Sequence, residues 1–287
     1  MADQIQDELR EEVRILRGRT GVSPGLATLS MGEDFPRQVF FRRQRSACDR
    51  VGVHLFALCL PGHASQQEVL RLIETANVSP LIHGIVIQLP LPTGIEEATL
   101  FQALDPHKDI DGLHPMNHGK LLAGTAALVP ATLSAILEIL ERNGVDLVGK
   151  HALVLGRTEG FAKPLAMLLV HRMATVSVAS SWGEGAAELL PQAEILITNL
   201  GRPHFITGDM LRPGCMVIDL GFNDLAGRLI GDVEPESASR RVALLAPVPG
   251  GVGPLIVSTL LKNTVSAYRR QVLGLEEDVE ELWRKGR

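Results

Sequence analysis

The stretch HALVLGRTEGFAKPLAMLLV (151–170) decides the fold. Its first half is a short apolar run, the pattern of a strand buried on both faces. Its second half spaces apolar residues as a helix does, and glycine punctuates the turn between them. A strand running through a glycine turn into a helix opens a βαβ unit. The same alternation continues on both sides. Downstream, ATVSVAS (174–180), AEILITNLG (193–201), CMVIDLGFN (215–223) and VALLAPVPGGVGP (242–254) read as strands. Upstream, LATLSMG (26–32) and VHLFALCLP (53–61) read as strands and IHGIVIQLPLP (82–92) as a strand running into a proline-rich turn, with helices over 4–17, 37–51, 65–77 and 95–104. Residues 132–144 and 257–273 predict two further helices, the last followed by a charged tail (276–287). The expected class is α/β with parallel sheets. DPHKDIDGLHPMNHGKL (105–121) lacks periodicity and reads as a long polar loop, the kind that is often functional. The domain division is expected within 122–131, because the second run of strands begins soon after it.

Composition narrows the class of partner. Of 287 residues, 45% are hydrophobic and 21% charged, enough to bury a core and to exclude disorder. A net charge of -5 argues against nucleic acid as a partner. No apolar run reaches membrane-spanning length, and MADQIQDELREEVR is too charged for a signal peptide, so no membrane association and a cytoplasmic location are expected. Cys48, Cys59 and Cys215 lack metal-ligand spacing, and no metal site is expected. The first lysine is Lys108, and Tyr268 is the one tyrosine.

Five places carry candidate chemistry. Gly156, Arg157 and Thr158 open the turn after the deciding strand. Glycine lets backbone approach a phosphate, a helix N-terminus attracts it, and guanidinium grips it bidentately. The spacing is not GxGxxG, and an ordinary strand–helix turn is the alternative. Ser180 and Ser181 fall after the next strand, where dinucleotide folds often place an acidic residue on the ribose. Hydroxyls and Arg157 there suit a 2′-phosphate, hence NADP rather than NAD; a solvated loop is the bland reading. PVPGGVGP (247–254), with Gly250 and Gly251, is either a rigid turn or a ligand contact. Asp109 and Asp111 flank Ile110 without further oxygen ligands at binding spacing, so one aspartate accepting from a ligand is the reading, not a metal. Gln88 puts an amide at the end of an apolar strand, as a structural bridge or a ligand reader.

Taken together, HGIVIQLPLP (83–92), KDIDGLHPMNHGKL (108–121), GRTEGFAKPLA (156–166), GCMVIDLGFN (214–223), GDV (231–233) and PVPGGVGP resemble the bifunctional methylenetetrahydrofolate dehydrogenase/methenyltetrahydrofolate cyclohydrolase family over nearly the whole chain. The resemblance implies an N-terminal α/β substrate domain (1–127), completed by a returning C-terminal helix (259–287), beside a Rossmann-type NADP-binding domain (128–258). It implies a homodimer, a tetrahydrofolate substrate, oxidation of its methylene bridge by NADP, and opening of the methenyl cation by water. It places Asp111 on the pterin's polar edge, Gln88 beside the catalytic lysine, Leu89, Gly250 and Gly251 in the folate pocket, and Arg157 and Ser181 on the 2′-phosphate.

The family's Tyr-x-x-x-Lys helix is altered here. Its two positions hold Phe40 and Gln44, on one helical face. Arg43 and Arg45 point roughly 100° away from Gln44, and no lysine precedes Lys108. Further departures are Ala131-Thr132-Leu133 for Cys-Thr-Pro, Ile256 for threonine, Ser180-Ser181 for His-Ser, and Phe161-Ala162 for Val-Gly. The expectation is a dehydrogenase with little or no cyclohydrolase activity. The alternatives are a folate- and NADP-binding pseudoenzyme or a paralogue running a different one-carbon reaction.

Overall fold

The computed structural model describes residues 1–32, 35–156, 160–225 and 228–275, the side chains of residues 35–37 and 39 excepted. Arg157, Thr158 and the charged tail 276–287 lie outside the described residues. The chain divides into two compact units.

The first unit comprises Met1–Lys120, Ala126–Ala131 and the last helix from Val257. Its elements are α1 (Ala2–Thr20), β1 (Gly25–Met31), α2 (Phe35–Val51), β2 (His54–Leu60), α3 (Gln66–Val78), β3 (Gly84–Ile87), α4 (Glu97–Ala103) and most of α5 (Pro115–Leu122). The strands form a parallel sheet in the order β2-β1-β3. Strand alternation sends Ala27, Leu29, Met31, Ile85 and Ile87 to one face, where they pack on Val69, Ile73 and Ala76 of α3 and Leu100 of α4. The other face carries Thr28 and Gly84. A Cβ on Gly84 would fall 2.6 Å from Ile110 Cγ2 and 3.3 Å from Thr264 Oγ1, so the glycine lets the last helix close down on the sheet.

The second unit comprises Leu121–Thr125 and Thr132–Ile256. It holds α6 (Ala131–Arg142), β4 (His151–Gly156), α7 (Ala162–His171), β5 (Thr175–Ala179), α8 (Glu184–Leu189), β6 (Ile195–Asn199), β7 (Met216–Asp219), β8 (Asn223–Leu225), β9 (Arg228–Ile230), α9 (Pro235–Ser239) and β10 (Leu244–Ala246). Five strands run parallel in the order β10-β7-β6-β4-β5. The chain steps outward from β4 to β5, then returns to β6 on the far side of β4. That reversal is the switch point at which doubly wound sheets bind ligands, outside the carboxyl ends of the strands.

The last helix, α10 (Gly253–Leu273), starts four residues earlier than the sequence pattern indicates and returns to the first unit, as the resemblance implies. Three of its buried polar residues hydrogen-bond there. Asn263 Nδ2 donates to the carbonyls of Ile110 (2.7 Å) and Val129 (2.9 Å), Thr259 Oγ1 to that of Ala131 (2.8 Å), and the Tyr268 hydroxyl to that of Val22 (3.1 Å).

The structure corrects the sequence reading at three places. The expected loop 105–121 contains α5, started by Asp109, whose carboxylate accepts from the amides of Leu113 (3.2 Å) and His114 (2.8 Å). Within 82–92 the strand covers Gly84–Ile87 and gives way to the expected proline-rich turn, where Pro90 and Pro92 bring no N–H to a ladder. The strands expected over 215–223 and 242–254 likewise end at Asp219 and Ala246, and Asn223–Leu225 turns into an antiparallel hairpin with Arg228–Ile230.

Replacing Asn263 by alanine orphans the Ile110 and Val129 carbonyls. The expected cost is about 2–4 kcal/mol, read as a drop in the urea midpoint at constant m-value. A midpoint unchanged from wild type contradicts this role.

Candidate active site

In the first unit, the sheet register brings the sequence candidates together. Gln88 follows β3 directly and its backbone N–H donates to the Leu29 carbonyl (2.9 Å), one residue from Thr28 on β1. Ile85 bridges Asp109 in parallel, and the Gly112 N–H donates to the Asp109 carbonyl (3.2 Å), so Asp111 stands in a tight turn directly after that bridge. Gln44 reaches the same strand from α2, where the Thr28 hydroxyl donates to Gln44 Oε1 at 2.8 Å. Thr28 and Gln44 are both fully buried, and Gln44 Nε2 has no hydrogen-bond partner among the described residues. A buried amide donor without a partner costs free energy and marks a place for an acceptor. Phe40 is half-buried one turn before Gln44, and Leu89 is exposed.

The two aspartates of KDIDG have different tasks. Asp109 is buried and accepts from the Asn117 amide (2.7 Å) as well as from the start of α5. Asp111 is half-buried. Burial and then the neighbouring Asp109 push its carboxyl up to about 7, against the pull of the Ala131 N–H. Lys108 is buried, and its ammonium donates to the carbonyls of Ala76 (3.3 Å), Asn77 (2.6 Å) and Ser79 (2.8 Å) at the end of α3. It is a helix cap rather than a replacement for a catalytic lysine. Among the described residues, no group of three or more His, Cys, Asp or Glu could hold a metal ion.

In the second unit, Gly156, Ser181, Gly250 and Gly251 all lie at the carboxyl ends of the strands. Phe161 fills the space beside Gly156, where a Cβ would fall 2.9 Å from its ring. Gly250 has φ 107°, open to glycine and strained for other residues, and the Gly251 N–H closes the turn onto the Pro247 carbonyl (2.7 Å). Ser180 and Ser181 are exposed at the end of β5, and the first acidic residue after them is Glu184 at the start of α8.

Residues 1–111 match the catalytic domain of tetrahydrofolate dehydrogenase/cyclohydrolase, and residues 130–272 match its NAD(P)-binding domain. The chain belongs to the tetrahydrofolate dehydrogenase/cyclohydrolase family. It is 43% identical over 271 residues to the bifunctional protein FolD of Moorella thermoacetica, covering 94% of this chain and 96% of that protein. The methylenetetrahydrofolate dehydrogenase-cyclohydrolase of Trypanosoma brucei, solved with NADP and an inhibitor, superposes with a TM-score of 0.91 at 37% identity, covering 94% of this chain and 95% of that one. The bifunctional enzyme of Campylobacter jejuni gives 0.89 at 33% identity, covering 94% and 96%.

Within this family framework, sequence reasoning missed Thr28 and the paired acids Asp219 and Asp232. Asp219 accepts from the N–H groups of Gly221 (2.8 Å), Asp232 (3.1 Å) and Val233 (2.9 Å). Asp232 accepts from Thr198 Oγ1 (3.1 Å), the amides of Leu200 (2.5 Å) and Arg202 (2.8 Å), and Asn223 Nδ2 (3.1 Å). Together they order the loops after β6 and β7. A signal was present: an aspartate ending an apolar run two residues before Gly221, and another directly after Gly231.

Burial raises the carboxyl of Asp111 to about 7 and that of Asp219 to about 6, above the ordinary value of 3.8. The folded chain therefore holds these protons more tightly than the unfolded chain does. Their contribution to stability is full below about pH 4 and is lost as pH rises through about 6 to 7. Urea unfolding at about pH 5 and about pH 8 measures that loss. Asp111→Asn, which cannot titrate, will show a smaller decline than wild type; an equal decline contradicts the assignment.

Proposed function

We propose that this chain oxidises 5,10-methylenetetrahydrofolate with NADP and releases the methenyl cation without hydrolysing it. One observation carries the reading: the buried polar group that Thr28 orients is the neutral amide of Gln44, at the position that the resemblance matches to the family's lysine.

The two family reactions ask different things of that position. Oxidation removes a hydride from the bridge carbon and leaves a cation; no proton is transferred at that step, so alignment dominates. Water attack on the cation releases a proton, which a titrating side chain must take. Gln44 can hold an acceptor through Nε2 but cannot accept a proton at neutral pH. Phe40 keeps a ring to pack on the pterin and lacks a hydroxyl. Asp111 in its ionised form accepts from the pterin's N–H edge, and Gln88 and Leu89 border the same place. In this reading residues 1–127 with the final helix (259–287) take the folate.

The cofactor reading rests on the carboxyl edge of the second sheet. NADP, when bound, supplies the hydride acceptor. Gly156 ends β4 and α7 begins shortly beyond it; Arg157 and Thr158 follow Gly156 in sequence, outside the described residues. Ser180 and Ser181 present hydroxyls with no carboxylate between them and Glu184 to repel a 2′-phosphate. No helix among the described residues is long and apolar enough to cross a membrane. We assign the chain to the cytoplasm and to a homodimer.

The test follows methenyltetrahydrofolate absorbance and NADPH formation separately. NADPH forms from methylenetetrahydrofolate, while methenyl absorbance decays no faster with enzyme than without it. Phe40→Tyr with Gln44→Lys restores enzyme-dependent decay by about 10²- to 10⁴-fold, the usual worth of an acid–base group. Rapid methenyl decay with the unaltered chain refutes the loss of hydrolysis, and ligand binding without NADPH formation makes the protein a pseudoenzyme.

A further inference from the structure

Arg202 stands in a tight turn after β6, closed by the Phe205 N–H donating to the Arg202 carbonyl (3.3 Å). The turn is stitched to the GDV block. The Arg202 N–H donates to Asp232 Oδ1 (2.8 Å), the His204 N–H to the Gly231 carbonyl (3.0 Å), and the Ile206 N–H to the Asp232 carbonyl (2.9 Å). His204 takes φ 48°, a left-handed backbone that these bonds enforce. The guanidinium of Arg202 lies over the Phe205 ring, 3.5 Å from its centroid. Phe205 in turn meets Trp182 edge to face at 4.9 Å, and Trp182 directly follows Ser180 and Ser181.

A single line of contacts therefore runs from the serine pair through two rings to an exposed cation. Arg202 has no carboxylate partner among the described residues. The one carboxylate that its backbone touches, Asp232, is fully buried and already accepts from four donors. Stacking on Phe205 restricts the guanidinium to a few orientations while leaving its N–H groups free for an anion. The position also separates two phosphate subsites. The start of α7, beyond β4, suits the pyrophosphate, whereas Arg202 is tied to the loop after the outer strand β5, where the adenosine ribose is held in folds of this kind.

We propose that Arg202 is a specificity-determining residue that binds the 2′-phosphate of the dinucleotide together with Ser181, and that Asp232 is the positioning residue that aims it. The proposal rests on the NADP reading above. Calorimetric binding of NADP, NAD and 2′,5′-ADP to wild type, Arg202→Gln and Arg202→Lys tests it. Wild type binds NADP more tightly than NAD. Arg202→Gln weakens NADP and 2′,5′-ADP by about 10- to 100-fold, the span of a hydrogen bond to a charged group, and leaves NAD unchanged; Arg202→Lys recovers part of the loss. Equal weakening of NADP and NAD overturns the proposal, because it assigns Arg202 to the adenine or to the fold. No change in any ligand overturns it as well. A wild type that does not prefer NADP overturns the underlying cofactor reading instead.

Discussion

The hydrogen bond from the Thr28 hydroxyl to Gln44 Oε1 fixes what the first unit can do. Both residues are sealed from solvent, so the amide cannot exchange its partner for water, and its other end is left as an unpaired donor. An ammonium at that place carries a proton to give and a charge. The amide has neither. On the proposed reading this has two effects. Proton removal from the attacking water loses its agent, and the methenyl cation forms without a like charge beside it. Both retain the cation rather than open it.

In the second unit the corresponding constraint is a pair of buried carboxylates. Asp219 and Asp232 gather backbone and side-chain donors from the ends of β6, β7 and β9, and space for them exists only because their neighbours are glycines. A Cβ at Gly231 would overlap Asp219, and one at Gly221 would overlap Asp232. GCMVIDLGFN and GDV thus act by ordering the loops after β6 and β7. Arg202 inherits its position from that order.

Much of this was legible from residue order alone, for physical reasons. Apolar runs of parallel strands and the 3.6-residue spacing of α2, α3 and α6 are local signals, so those elements lie within about two residues of where the pattern puts them. The failures share a cause. PMNHGKLL has no apolar stripe and becomes α5 because Asp109, which also accepts from Asn117, holds its first turn. The hairpin Asn223–Ile230 and the short helices α8 and α9 depend likewise on tertiary contacts. At the site, Gln88 stood out as an amide at the end of an apolar strand, Asp111 as one of two paired carboxylates, and Gln44 only through the family resemblance. Thr28 did not, since threonine in a strand is ordinary; only the structure pairs it with Gln44. Of the two aspartates in KDIDG, spacing could not say which was structural.

The central claim is that this pocket makes a folate cation and leaves it intact. The most direct measurement is the stoichiometry of methenyltetrahydrofolate to NADPH accumulated while methylenetetrahydrofolate is oxidised, corrected for spontaneous hydrolysis. The account predicts one methenyl cation for each NADPH throughout the reaction. NADPH accumulating with 10-formyltetrahydrofolate in place of the cation contradicts it.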